Sequence, residues 1–264
     1  MIRSSIKISI SILLAILFLG PILWVLWGSV RYGDASFSFQ NFSRLFIYGE
    51  GISTYIRNTL IVVIITVTGS VIVSLFAGYA LDRIKFKGSK LLFIGILSIL
   101  MVPHASLLIP LFIWLNKLHL GNSLIGLSFV MIMYQMPFSV FMMRNSFESV
   151  PKELDEAAMI DGCSRLGIIF KVLLPAVRPG LITVGLFAFL AAWNEFITAL
   201  ILLNDGSKFT IPLMLVNLVK GDFGSIDFGA LQAGIVISAA PCVALFFILQ
   251  KYFVGGFSAG AIKG

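Results

Sequence analysis

The sequence predicts an all-α integral membrane protein of about six transmembrane helices. Of its 264 residues, 59% are hydrophobic and 12% charged, whereas soluble domains are about half apolar and about one quarter charged. The mean hydropathy of +1.03 agrees with that composition, and the apolar residues gather into runs long enough to cross about 30 Å of hydrocarbon. The formal net charge is +7. The Lys and Arg fall between the apolar runs rather than on one aromatic-interleaved surface, so they read as topology signals and no nucleic-acid partner is expected.

The first run, Ile8 to Trp27, follows basic residues as a signal peptide would. It exceeds the 7 to 15 residues of a signal h-region, and no A-x-A site follows, so it is expected to stay as the first span. The second, Leu60 to Leu81, carries Ser70, Ser74 and Gly78 at four-residue spacing, a small-residue stripe that reads as helix packing. The third, Leu91 to Leu111, holds MVPHASLLIP, in which Pro103 and Pro110 remove backbone donors. The fourth, Ile125 to Met143, sets Gln135 beside Pro137. Broken helices with polar atoms at membrane depth are tolerated where they pack in protein or line a cavity, which favours a pathway-forming bundle over an anchor.

The fifth run, Leu181 to Leu203, contains AAWNEFITAL. A carboxylate at membrane depth is costly and usually faces a bundle interior, so Asn194 and Glu195 are candidate translocation-pathway residues. The alternative is that Glu195 lies near the outer end of its helix and reaches interfacial water. The sixth run is Leu231 to Phe253. Thirteen of the 19 Lys and Arg occupy one alternate set of gaps and termini, so both termini are expected on the cytoplasmic side. Cys163 and Cys242 have no metal or redox spacing and read as packing residues. His104 and His119 lack any hydrolase or metalloprotease context, so an embedded enzyme is disfavoured.

Between the fourth and fifth runs lies a polar cytoplasmic loop, at about residues 146–180, containing SVPKELDEAAMIDG. Ser149 or Val150 precedes Pro151 at the first turn, Glu153, Asp155 and Glu156 place negative charge at the positive end of the helix dipole, and Gly162 supplies a left-handed stop. The spacing predicts a helix of about three turns. Leu154, Ala157, Ala158 and Asp161 share one narrow, mostly small face, and so short a helix needs a partner to pack against. SRLGIIFKVLLP then reads as a second helix ending at Pro175.

The order Glu156-Ala157-Ala158, three residues, Gly162, nine residues, Val172-x-Leu174-Pro175 is similar to the EAA loop, E-A-A-x3-G-x9-I-x-L-P, of ABC importer permeases. Only the isoleucine differs, as Val172. YALDRIKFKG from Tyr79, MVPHASLLIPLF from Met101, WNEF from Trp193 and QKYFVGGFSAGAIKG from Gln250 further resemble the carbohydrate-uptake branch, and in particular the second membrane subunits of maltose importers.

The resemblance implies a type I ABC importer permease fold, with one permease domain over residues 1–264. The chain would sit in a bacterial inner membrane, pair with a second permease as a heterodimer, and receive a carbohydrate or sugar derivative from an extracytoplasmic binding protein. Two ATPase subunits would use ATP and Mg. Glu156, Ala157, Ala158, Asp161, Gly162 and Pro175 would couple them to transport. The sequence has no G-x-x-x-x-G-K-[ST], so no nucleotide or other cofactor is expected on this chain itself. A secondary transporter or channel working through Glu195 stands as the alternative.

Overall fold

The computed structural model describes residues 2–33, 37–220 and 227–261. The described chain is helical. In order come α1 (Ile2–Ser29), α2 (Gln40–Leu45), α3 (Ile52–Arg83), α4 (Ser89–Ser98), α5 (His104–Lys117), α6 (Leu124–Glu148) and α7 (Glu153–Ile160). Then follow α8 (Arg165–Gly167), a π-helical stretch (Ile168–Leu173), α9 (Leu174–Ala176), α10 (Arg178–Trp193), α11 (Ile197–Leu202), α12 (Ile211–Lys220) and α13 (Phe228–Ala261).

Among the described residues, four helices are long and apolar enough to cross a membrane, at Ile10–Ser29, Ile52–Arg83, Leu124–Glu148 and Phe228–Gln250. Two bent pairs raise the number to six if each counts as one span: Ser89–Met101 with His104–Lys117, bent by 101°, and Arg165–Ala176 with Arg178–Trp193, bent by 81°. The first bend has a local cause. Val102, before Pro103, is extended (φ −83°, ψ 119°), as steric clash with a proline ring demands. Pro110 and Pro137, in contrast, lie inside continuous α5 and α6, so the expected break in the fourth span does not occur.

The fifth predicted span, Leu181 to Leu203, is corrected too. α10 stops at Trp193, three residues intervene, and α11 starts at Ile197. The polar side chains serve the interruption: Asn194 Nδ2 donates to Leu190 O (2.8 Å), and Glu195 Oε1 accepts from the Thr198 amide (2.6 Å). Local side-chain bonds of this kind compete with the helical ladder and so mark its end.

The described residues fall into two compact units, 1–56 with 210–264, and 57–209. In the first, α1 and α2 pack against α13, as does α12. Buried Asn41 donates its amide to the carbonyls of Gly28, Ser29 and Arg31, closing the C-terminal end of α1. Arg44 of α2 pairs with Asp227 just before α13. α12 was not expected; it buries Ile211, Leu213, Met214 and Leu218. The WNEF segment lies in the second unit, whereas QKYFVGGFSAGAIKG continues α13, and its last three residues, 262–264, fall outside the described ones.

The second unit is built round α6, which buries residues on successive turns from Gly126 to Phe147. The stripe on α3 does pack: Ser70 and Ser74 are fully buried, and a Cβ on Gly78 would meet Met143 Cβ at 2.7 Å and Arg144 N at 2.9 Å. Because one obstacle is backbone, it cannot rotate aside. Gly78→Leu is therefore expected to destabilise the purified protein by about 1–3 kcal/mol, seen as a fall of roughly 3–10 °C in thermal unfolding. An unchanged melting curve would show that the two helices part at no cost. At the far end, Asn58 ties α3 to the carbonyls of Ser207 and Phe209. Asp205 caps the turn Gly206–Lys208, and hydrogen bonds from the Ser207 hydroxyl and amide hold its carboxyl below the usual carboxylate range.

Candidate functional site

Two places in the second unit hold the residues singled out above. The first is the polar loop. α7 has eight residues, two turns rather than three, starting at Glu153 with Lys152 at its N-cap, while Ser149 ends the preceding helix and its Oγ donates to Ser146 O (2.8 Å). Glu153, Asp155 and Glu156 occupy the first turn of α7, where carboxylates offset the helix dipole. The far end is a Schellman turn. Gly162 has φ +78°, its amide donates to Met159 O (3.1 Å), and the Cys163 amide reaches back to Ala158 O (2.9 Å). Ser164 then caps α8 by accepting from the Gly167 amide (3.2 Å).

α7 rests on an apolar base. Ala158 is buried with Phe147, Val150, Ile168, Ile169, Leu173 and Val177, joined from α3 by Leu75 and Tyr79. This splits the face expected from periodicity. Ala158 points into the chain's own core and is unavailable to a partner, whereas Leu154, Ala157 and Asp161 are exposed. Glu156 is exposed as well, together with Met159 (54%) and Ile160 (87%). The outward surface is thus more apolar than the small-residue face predicted. Stability of the loop comes from the inward side, and the outward side is free for another molecule.

The predicted second helix is real but irregular. Residues 168–173 form wider π turns just before Pro175. A proline lacks the amide and its ring crowds the carbonyl four residues back, which the wider helix relieves. Pro175 itself is exposed within α9. Val177 (φ −90°, ψ 7°) then turns the chain into α10.

The second place is a cavity of about 430 Å³ at the α10–α11 break, lined by His104, Leu108, Tyr134, Asn194, Glu195 and Thr198 among others. Asn194 and Glu195 thus share one cavity wall, and Glu195 is half-buried. His104, which sequence reasoning left as a structural histidine, opens α5 and stacks on Tyr134 with centroids 4.1 Å apart and planes 1° apart. Its position directly after Pro103 was the available signal. The two places are not brought together: Tyr134 and Glu148 alone are separated by about 20 Å along α6. Among the described residues, no group of three or more His, Cys, Asp or Glu is arranged for a metal.

Residues 70–258 match the model of a family described as binding-protein-dependent transport system inner membrane component. The trehalose/maltose transport system permease protein MalG of Thermococcus litoralis is 35% identical over 265 residues, covering 96% of this chain and 95% of that one. The arabinooligosaccharides transport system permease protein AraQ of Halalkalibacterium halodurans is 34% identical over 233 residues, covering 88% and 82%. A solved structure of a bacterial ABC transporter involved in the import of the acidic polysaccharide alginate has the same fold, with a TM-score of 0.81, 24% identity and 96% of each chain covered. An all-helical chain with a buttressed polar loop in the EAA spacing, matched over most of its length, belongs to the binding-protein-dependent inner membrane components: it is a permease subunit of an ABC importer.

Proposed function

We propose that this chain forms one half of the membrane pathway of an ATP-driven carbohydrate importer. The observation that carries the reading is the outward face of α7, where Glu156, Ala157, Ile160 and Asp161 stand clear of a packed base. A rigid, presented helix suits a groove on another protein, whereas a loop with only solvent to meet has no need of so buried a foundation. Its occupant is an ATPase subunit. Two such subunits use ATP and Mg, and this chain catalyses no reaction. A second, different permease completes the pathway, and an extracytoplasmic binding protein delivers solute. Sugar or sugar-derivative cargo is supported by the names of the relatives at 34 and 35% identity.

In this scheme the chain sits in a bacterial inner membrane with both termini and α7 cytoplasmic, as the distribution of Lys and Arg favours. Closure of the ATPase pair moves α7, and the spans joined to it exchange inward and outward states. Solute shifts that exchange only by its different affinity for the two. Asn194 and Glu195 line the route.

The test is co-purification of the tagged chain followed by uptake in proteoliposomes. ATPase and second-permease subunits are expected in the eluate, and sugar accumulation should require ATP inside the cytoplasmic compartment. Accumulation by the chain alone, driven by an ion gradient and indifferent to ATP, would establish the secondary-transporter reading instead.

A further inference from the structure

Asp155 sits in the first turn of α7 between the exposed Glu153 and Glu156, yet its own side chain is only 12% exposed. It faces Arg83, the last residue of α3, whose side chain is 4% exposed. Arg83 Nε lies 3.0 Å from Asp155 Oδ2, an ionic contact set off the hydrogen-bond direction. One Nη donates to Asp82 Oδ2 (2.8 Å) and the other to the backbone carbonyl of Val150 (2.7 Å). A single guanidinium therefore joins the end of α3, the turn before α7, and α7 itself. A buried charge persists only where it is paired, and the planar, multiply donating Arg head can serve three partners at once where a Lys cannot.

Among the described residues, α7 also packs on its base through apolar contacts of Ala158 and its neighbours. Such contacts are non-directional, so they resist rotation and slide of a helix less specifically than an ionic link does. The ionic link is directional. It also leads to a different kind of element. The covalent route onward from α7 passes through the π turns at 168–173 and the 81° bend before α10. α3, by comparison, is one helix of 32 residues with no proline inside it. Irregular turns and bends yield more readily under load than a helix with no break in its hydrogen-bond ladder.

We propose that Arg83 is a strut that makes α7 and α3 move as one body, so that displacement of α7 by an ATPase subunit enters the membrane through α3 and not only through the bent path to α10. Arg83 is a positioning residue, acting through Asp155, and the proposal rests on α7 being the ATPase-docking helix.

The experiment uses the complete importer in proteoliposomes, reading retained ATPase subunits, ATP hydrolysis and solute moved per ATP. Arg83→Ala and the near-isosteric Asp155→Asn are each expected to keep the ATPase subunits and to continue hydrolysing ATP, while solute moved per ATP falls about tenfold. The double variant should be no worse than the poorer single one, because both remove the same link. Arg83→Lys should recover part of the loss, since it restores the charge without the fork to Val150. Wild-type solute per ATP in Arg83→Ala, or additive losses in the double variant, would overturn the strut. So would a loss of uptake matched by loss of ATPase subunits, which would mean that Arg83 only keeps the loop folded. Ala157→Trp separates this from the docking reading: placed on the outward face, it should displace the ATPase subunits whatever Arg83 does. If it does not, α7 is not the docking helix and the underlying reading fails first.

Discussion

Gly162→Pro should cut solute-stimulated ATP hydrolysis by the assembled importer by at least about tenfold while leaving the membrane helices folded. The argument is conformational. Gly162 has φ +78°, and proline is locked near −65°, so the chain cannot make the same turn after α7. Proline also lacks the amide that Gly162 donates to Met159 O. Misplacement costs about 3 kcal/mol or more at the turn, which redirects α7 relative to its base. Gly162→Ala is the graded control. A Cβ there meets nothing within 4 Å, so only the left-handed backbone, at about 1–2 kcal/mol, opposes it.

Ala158→Leu should act similarly by a different route, overpacking the buried base at about 1–3 kcal/mol. Hydrolysis and its stimulation by solute are measured in proteoliposomes, with thermal unfolding as the check on the fold. Wild-type stimulation in Gly162→Pro would remove α7 from the coupling path.

Glu195→Ala should shift the solute concentration for half-maximal stimulation, or the basal ATPase rate, by about tenfold, the scale of a lost hydrogen bond to a charged group. The carboxylate has two jobs in view: it caps the Thr198 amide and it lines the cavity beside His104 and Tyr134. Glu195→Gln divides them, since an amide oxygen still accepts from Thr198 but carries no charge. A pathway role predicts that both variants change the solute response. A cap alone predicts that Gln is silent and Ala merely unsettles α11. Wild-type affinity and basal rate in both would leave Glu195 as a helix-end residue.

Much of the architecture could be read from local pattern. Runs such as Ile8 to Trp27 and Leu231 to Phe253 are helical wherever hydrocarbon surrounds them, because an unpaired backbone there is too costly. The stop at Gly162 was equally legible, since a left-handed residue after a helix nearly requires glycine. The break at Asn194–Phe196 was not. AAWNEFITAL is apolar on both sides, and whether Asn and Glu side chains turn back to cap or point along a continuous helix depends on what lies beside them. α12 escaped notice because ten residues are too few for a span; its helical spacing of Ile211, Met214 and Leu218 was the signal that could have found it.

The sequence by itself determined that the chain is a helical membrane protein with a charged, glycine-stopped loop, because composition and chain-local sterics suffice for that, and the spacing of the loop pointed to its kinship through resemblance to a known motif. Only the tertiary structure decided that Ala158 and Asp155 turn inward while Ala157 and Ile160 turn out, that His104 joins Glu195 at one cavity, and that Arg83 meets Asp155. The last two depend on surfaces that approach although His104 and Glu195, like Arg83 and Asp155, lie far apart along the chain, and the first on how α7 rolls against the nearer segments that form its base. Helical periodicity gives the angle between two side chains on a helix, but the neighbour that buries one of them fixes which way the helix is rolled.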